Sequence, residues 1–336
     1  MAPAQARNLF VRTRVAAAVC ILAGMLAPGA RAAPEPFTAG WIDAIWQDHL
    51  VHRGERVAGT GALEEAFFRD ALRVEPRGVE AVEQLVHYYA STGESVPALG
   101  AALYGRLLDP GRPLWTDAVA RAHAVIRQGA AAPGTNEPAA HAAYKAGLDA
   151  MLAAAQTNNF LFAEIEVRRL LTQFPRDPNL HENLCTFARL GGEHAIHAMR
   201  WLAYMELFPG NRLAANNLAA ALESAQLPGP AHDALSPFLE GREDDTYLMG
   251  NAIRLAEAAD RLERASALAA RWRLKQPSVP EAWLASARVA LRQQRPDMAR
   301  SYWKELAQRI DADTAAALLR EPPFAAHARE LQEQAP

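Results

Sequence analysis

Residues 276–303 read QPSVPEAWLASARVALRQQRPDMARSYW, and the second residue of this stretch, Pro277, belongs to a series of prolines. Phe-Pro steps end at Pro175 and Pro209, which are 34 residues apart, and Pro277 follows two further periods on. A helix-turn-helix repeat of this length ends in proline because the ring cannot continue the second helix. The spacing therefore predicts a chain built from stacked helix pairs.

The composition of the 336-residue chain agrees with a helical fold. The chain is rich in alanine and leucine, and only 7% of its residues are aromatic. Long runs of alternating valine, isoleucine and threonine are missing from it. These features predict an all-α fold, and a solenoid of repeats accommodates this length because its core grows along one axis.

Residues 144–313 divide into five rows of 34 without an insertion: 144–177, 178–211, 212–245, 246–279 and 280–313. The twentieth residue of each row is alanine in all rows but one: Ala163, His197, Ala231, Ala265 and Ala299. Small residues recur where two helices cross closely, because a larger side chain would separate them. The rows therefore predict five helix pairs that share one packing geometry.

The rows resemble the tetratricopeptide repeat family, in a divergent and secreted bacterial form. The residues that carry the resemblance are Gln276, Pro277, Trp283, Ala287, Ala290, Ala299 and Trp303, with Asn183-Leu184 and Asn217-Leu218. The resemblance implies an antiparallel helix pair in each unit and an α-solenoid, a right-handed superhelix with an inner ligand groove. The twenty-seventh column departs from the family, because large residues stand where the family usually has alanine: Leu170, Tyr204, Phe238, Trp272 and Leu306.

The N-terminal part of the chain is out of phase with these rows. Pro76 and Pro110 are 34 residues apart, but the frame slips by three residues before Pro175. We predict N-terminal helical repeats over 33–128, comprising about two units and one further helix. Residues 129–138, rich in proline and glycine, are either a linker between two blocks or a long loop within one array. Five repeats then occupy 139–313, and 314–336 form a capping helical tail.

Residues 1–32 have the form of a secretory signal peptide. A basic start without acidic residues precedes an apolar run over residues 15–27, and residues 30–32, Ala-Arg-Ala, have the form of a cleavage site. The run is short for a membrane span, although an uncleaved anchor remains an alternative. We therefore expect Sec-type secretion to the bacterial periplasm, with no stable membrane span after cleavage.

The charge of the mature chain argues against binding to nucleic acid. The full chain has a formal net charge of −3. Without residues 1–32 it carries 31 basic and 38 acidic side chains, a net charge of about −7. A nucleic-acid-binding surface needs a positive stripe that displaces counterions, and no basic run is present.

No motif for catalysis or for cofactor binding is found in the sequence. Glu193, His194 and His197 could offer ligands to a metal, but their spacing does not secure a third and a fourth ligand. His197 stands in the alanine column, which favours a packing role. Cys185 stands where other rows have methionine, alanine or isoleucine, which also favours packing. We therefore predict a protein that is not an enzyme and that holds no cofactor or metal.

Asparagine recurs in the sixth column of three successive rows, as Asn183, Asn217 and Asn251. The resemblance implies that this column faces the groove, where its amides could hold the main chain of a peptide. Basic residues stand nearby in the sequence: Arg254, Arg288 and Arg292. They could hold a carboxylate. The alternative is that asparagine serves packing, and that Glu223, Glu257 and Glu281 neutralise the arginines.

These features lead to two hypotheses about function. The first is a non-catalytic scaffold of the bacterial envelope that presents a concave groove to a protein partner. The family resemblance adds assembly of a secretion, pilus or polysaccharide-export system as the setting. The second is a receptor for a peptide or small ligand, which would bind in the groove lined by asparagine and arginine.

Overall fold

The computed structural model describes residues 61–133, 137–242 and 244–332. These residues form sixteen α-helices and no strand. In chain order the helices are α1 (Gly61–Val74), α2 (Val79–Ser91), α3 (Ser95–Leu108), α4 (Pro113–Gln128), α5 (Pro138–Gln156), α6 (Phe160–Gln173), α7 (Pro178–Leu190), α8 (His194–Leu207), α9 (Arg212–Ser224), α10 (Pro228–Leu235), α11 (Thr246–Ala258), α12 (Leu262–Lys275), α13 (Pro280–Arg292), α14 (Pro296–Ala307), α15 (Ala312–Leu318) and α16 (Ala328–Gln332). Short 3-10 helices, Ser236–Phe238 and Phe324–His327, follow α10 and precede α16.

Helices α5 to α14 form five helix pairs, which we call the array. From the second pair onward the first helices begin 34 residues apart, at Pro178, Arg212, Thr246 and Pro280. The second helices begin at Phe160, His194, Pro228, Leu262 and Pro296, with the same period. Each helix of the array packs on the next one along the chain. The predicted all-α solenoid of helix pairs is therefore confirmed.

The turn within each pair of the array contains one residue with left-handed backbone: Asn158, Gly192, Gln226, Asp260 and Gln294. This residue lies two positions before the second helix. The next residue donates its backbone N–H to a carbonyl five positions back, as from Glu193 to Ala188 at 3.2 Å. This is the Schellman arrangement, which ends the first helix and reverses the chain in a short turn.

Alanine allows the two helices of each pair to cross closely. Four alanines of the twentieth column, Ala163, Ala231, Ala265 and Ala299, have no exposed surface. His197 occupies the same column and is also buried. The large residues of the twenty-seventh column fill the core: Leu170, Tyr204, Trp272 and Leu306 are all buried. Phe238, the remaining member, lies in the 3-10 turn after α10 and is partly exposed.

Helices α1 to α4 form a separate stack, which we call the N-terminal block. The block does not extend the array end to end, because α3 packs on α8 and α6, and the described residues show no comparable packing of α4 on α5. Gly100 permits the crossing of α3 and α8, since a Cβ atom there would lie 2.2 Å from the backbone oxygen of Met199. The chain leaves α4 at Gly129, which lies against Pro175 of the array.

A buried ionic network joins the N-terminal block to the array. Arg69 of α1 donates to Glu193 before α8 at 3.0 Å and to Glu164 of α6 at 2.5 Å. Arg200 of α8 donates to the other oxygen of Glu164 at 2.8 Å and to the hydroxyl of Tyr89 in α2 at 3.1 Å. All five side chains are buried.

In the second half of the network the array supplies the cation, and the N-terminal block supplies the carboxylates. Arg168 of α6 pairs with Glu65 of α1, and its Nε atom lies 2.8 Å from Glu94 at the start of α3. Arg168 also lies over the ring of Tyr89, at 5.5 Å from its centre. Charges of both signs from both sides therefore join block and array, beside an apolar core that includes Leu99 and Ile126 of the block and Val167 of the array.

The C-terminal residues lie on the last pair of the array. Phe324 packs against Trp303 of α14 with ring centres 5.4 Å apart, and Leu331 joins the same core. The end of the last repeat is thus covered by apolar contacts.

Several predictions concern residues outside the described ranges. They are the signal peptide at 1–32, residues 33–60 of the predicted N-terminal repeats, residues 134–136 of the predicted linker and residues 333–336 of the predicted tail. Within the ranges that the structure describes, no helix is long and apolar enough to cross a membrane.

Candidate binding face

The residues predicted for the groove lie on the first helices of consecutive pairs. Asn183 lies on α7, Asn217 on α9, Asn251 and Arg254 on α11, and Arg288 and Arg292 on α13. We call the surface that these six residues share the first-helix face. Hydrogen bonds join α9 to α11 and α11 to α13 across this face.

The three asparagines differ in their surroundings. Asn183 and Asn217 are partly exposed, and their side chains form no hydrogen bond with any part of the chain that the structure describes. Asn251 instead donates from Nδ2 to Oδ1 of Asn216 at 3.1 Å, which links α11 to α9. Two of the three amides are therefore open to a ligand, and the third joins two helices.

Glutamates of the preceding first helix neutralise two of the arginines. Arg254 forms a two-bond pair with Glu223, with Nη2 at 2.8 Å from Oε2. Arg288 donates from Nε to both oxygens of Glu257, at 2.8 and 3.1 Å. Both pairs join residues 31 apart in the sequence, so they repeat with the array. The structure thus contains the pairing with Glu223 and Glu257 that was the alternative to a free carboxylate site.

Arg292 of α13 also contacts residues of the preceding repeat. It donates from Nη1 to the backbone oxygen of Glu257 at 2.5 Å, and its Nη2 atom lies 3.5 Å from Asp260. Burial raises the pKa of Glu257, while the positive charges of Arg288 and Arg292 act in the opposite direction. Each of the three arginines therefore contacts the first helix that precedes its own.

Two exposed apolar side chains on these helices were not predicted. Leu213 and Tyr247 are 69% and 68% exposed, and each is the second residue of its helix, α9 or α11. Hydrogen bonding to Asn216 and Asn251 lowers the pKa of Tyr247, which places its hydroxyl beside the amide pair. Both residues occupy the second column of their rows, so a column-by-column search for exposed apolar residues could have found them.

The residues considered for metal binding are not brought together. Glu193 belongs to the ionic network, whereas His197 is buried and accepts a hydrogen bond from Nε1 of Trp201 at 2.8 Å. Burial lowers the pKa of His197 to about 4, so its ring is neutral at pH 7. Among the described residues no group of three or more His, Cys, Asp or Glu side chains could hold a metal ion.

The cysteine is equally unsuited to chemistry. Cys185 is 1% exposed, and burial raises the pKa of its thiol. A reactive thiol needs exposure and a lowered pKa. Cys185 therefore acts as a small residue of the core.

Comparisons with known proteins gave the following results. No family model matches this chain, and no curated protein matches it in sequence. The crystal structure of a MamA protein is similar over 50% of this chain and 91% of its own, with 13% identity and a TM-score of 0.42. MamA from Desulfovibrio magneticus RS-1, residues 41 to the end, matches 50% of this chain and 94% of its own, with 11% identity and a TM-score of 0.41. PilF of Pseudomonas aeruginosa matches 56% of this chain and 97% of its own, with 17% identity and a TM-score of 0.37.

Proposed function

We propose that this protein is a non-catalytic scaffold of the bacterial cell envelope, which presents the first-helix face to a protein partner. The observation that carries the proposal is the combination of open amides at Asn183 and Asn217 with exposed apolar side chains at Leu213 and Tyr247. These groups stand on helices held in place by the array, so little conformational entropy is lost when a partner binds.

The envelope location rests on the signal-like sequence of residues 1–32. A scaffold in the periplasm would serve the assembly of a larger machine, such as a secretion, pilus or polysaccharide-export system. That setting comes from the resemblance to tetratricopeptide proteins and is part of the proposal.

A receptor for an extended peptide is the second candidate function. The open amides of Asn183 and Asn217 favour it, because they stand at the same position of successive repeats and offer both donors and acceptors. Pairing of Arg254 and Arg288 with glutamates reduces the charge available to a C-terminal carboxylate. Such a receptor would therefore bind the main chain of a peptide rather than its terminus.

The test is a double variant on α9, Leu213→Ala with Asn217→Ala, compared with the natural protein in affinity capture from envelope extract. We expect loss of the captured partner and an unchanged helical melting curve. The control is Leu274→Ala with Lys275→Ala on α12, where Leu274 is 83% exposed but lies on a second helix. Unchanged capture in the first-helix variant, or equal loss in the control, would remove the support for this face.

A second measurement separates the two candidates. Calorimetric titration with short peptides that cover the captured partner distinguishes a receptor from a scaffold. Binding of one peptide with the affinity of the whole partner favours the receptor, and binding of the folded partner alone favours the scaffold.

A further inference from the structure

Helix α5 begins the array, and one of its faces has no neighbour in the described structure. Every later helix from α6 to α13 packs between two other helices of the array, whereas α5 packs on α6 alone to a comparable extent. Only Gly147, Met151 and Ala154 of α5 are buried. The opposite side of α5, which we call its outward face, has no neighbour among the residues that the structure describes.

This outward face is apolar, although the ends of repeat arrays are usually polar. It carries Leu152, which is 52% exposed, together with the exposed alanines Ala142, Ala146 and Ala153. Phe162 on the adjacent α6 is 46% exposed as well. Exposed apolar surface of this kind is typical of a site for association with another protein.

The charges on the same face are few, and their arrangement is self-complementary. Lys145 and Asp149 are both exposed, lie about one helical turn apart, and form no ion pair within the described ranges. The face thus offers one free cation and one free anion.

We propose that this face of α5 associates with the same face of a second copy of this chain, around a two-fold axis with the two helices antiparallel. An axis at the height of Gly147 places Lys145 opposite Asp149 of the other copy, and the symmetry produces this pair twice. The same axis places Leu152 opposite Ala142. A parallel arrangement would instead place Lys145 against Lys145, which is repulsive.

The small side chains fit this arrangement. Alanine at 142, 146 and 153 allows two helix axes to approach to about 8 Å, at the short end of the usual range. Leu152 then finds space above Ala142 of the other copy and loses its exposure to water. The surface fits a second copy better than a strongly charged partner, because its own charges cancel.

The test is sedimentation equilibrium of the purified natural protein and of two charge variants, Lys145→Glu and Asp149→Lys. We expect a dimer for the natural protein and at least about tenfold weaker association for each variant, because both ion pairs become repulsive. An equimolar mixture of the two variants should recover the natural association, since the acid introduced at position 145 of one variant then meets the base introduced at position 149 of the other. The matched control is Lys275→Glu, an exposed lysine on α12, which should leave association unchanged.

Three outcomes would overturn the proposal. The first is a natural protein that remains monomeric at the highest concentration at which it stays dissolved. The second is a dimer whose affinity neither variant changes, which would place the contact elsewhere. The third is a mixture that associates no better than the separate variants. Circular dichroism of each variant checks that the fold is retained, so that loss of association reports on the face itself.

Discussion

At the scale of single residues, most turns of the array place a residue other than glycine in left-handed backbone, which is unfavourable. Five turns need a left-handed residue, but only Gly192 among them is a glycine. A side chain with a Cβ atom costs about 1–2 kcal/mol in that conformation. Gln226, for example, adopts a φ of 62°. Asparagine and aspartate tolerate this region better than glutamine does, so the two glutamine turns carry the largest strain.

Replacing Gln226 by glycine should stabilise the protein by about 0.5–1 kcal/mol. The gain is smaller than the strain removed, because glycine also loses more backbone entropy on folding. Urea unfolding of the natural protein and of Gln226→Gly measures the difference. Gln226→Ala is the control, since alanine retains the Cβ atom and should give no gain. A glycine variant less stable than the alanine variant would contradict the explanation.

At the scale of helices, the crossing of α3 and α8 decides where the N-terminal block lies. Gly100 is required there because the backbone of Met199 occupies the space of a side chain. Ala203 lies beside the same contact, so both helices carry small residues where they cross. Glycine in a helix normally weakens it, and its position in α3 is therefore explained by the contact and not by helix formation.

Gly100→Ala should destabilise the protein by about 2–3 kcal/mol, because one helix must move away from the other. Gly250→Ala in α11 is the matched control: its Cβ atom would lie 3.8 Å from Trp272, an ordinary contact. The control should stabilise the protein by about 0.5–1 kcal/mol through better helix propensity. Thermal unfolding of both variants gives the comparison, and equal effects in the two positions would show that the crossing is not tight.

At the scale of the whole molecule, the ionic network holds two helical stacks in one orientation. Glu164 is its centre, with Arg69 of the block on one oxygen and Arg200 of the array on the other. Buried ion pairs contribute little net stability compared with apolar packing, but removal of one partner is costly. The network therefore selects the orientation of the block more than it adds to the stability of the array.

Replacement of Glu164 by glutamine should lower the stability at pH 7 by roughly 3–5 kcal/mol, because it leaves the buried Arg200 without the carboxylate with which it pairs. Hydrogen exchange should then accelerate in α1 to α4 more than in α9 to α14. Glu166→Gln on the same helix is the control; its partner Arg169 is half exposed, so a change below about 1 kcal/mol is expected. Equal protection of the block in both variants would argue against the network as the link.

The loss of stability in Glu164→Gln should depend on pH. Burial alone would raise the pKa of Glu164, but the charges of Arg69, Arg200 and Arg168 outweigh it and lower this pKa from 4.5 to about 2. The unfolded chain therefore binds the proton first, so the contribution of Glu164 is complete above pH 4.5 and is lost as the pH falls towards 2. The difference between the natural protein and Glu164→Gln should shrink over this range in urea unfolding.

The candidate binding face was predictable in part. The asparagine column could be placed on first helices from its period alone, and the offset of 31 residues made the pairs of Arg254 and Arg288 with glutamates foreseeable as an alternative. The bond between Asn251 and Asn216 was not foreseeable, because it depends on how closely α11 approaches α9.

The amino-acid sequence by itself determined the helix pairs of the array and their 34-residue period, because helix ends and close crossings depend on neighbouring residues. Three local features act over a few helical turns. They are the prolines that end helices, the alanines at helix crossings and the helical spacing of apolar residues. Only the tertiary structure decided that α3 lies on α8, so that among the described residues α5 packs mainly on α6. Arg69 and Glu193 are 124 residues apart, and a single contact at such a separation leaves no periodic pattern in the sequence.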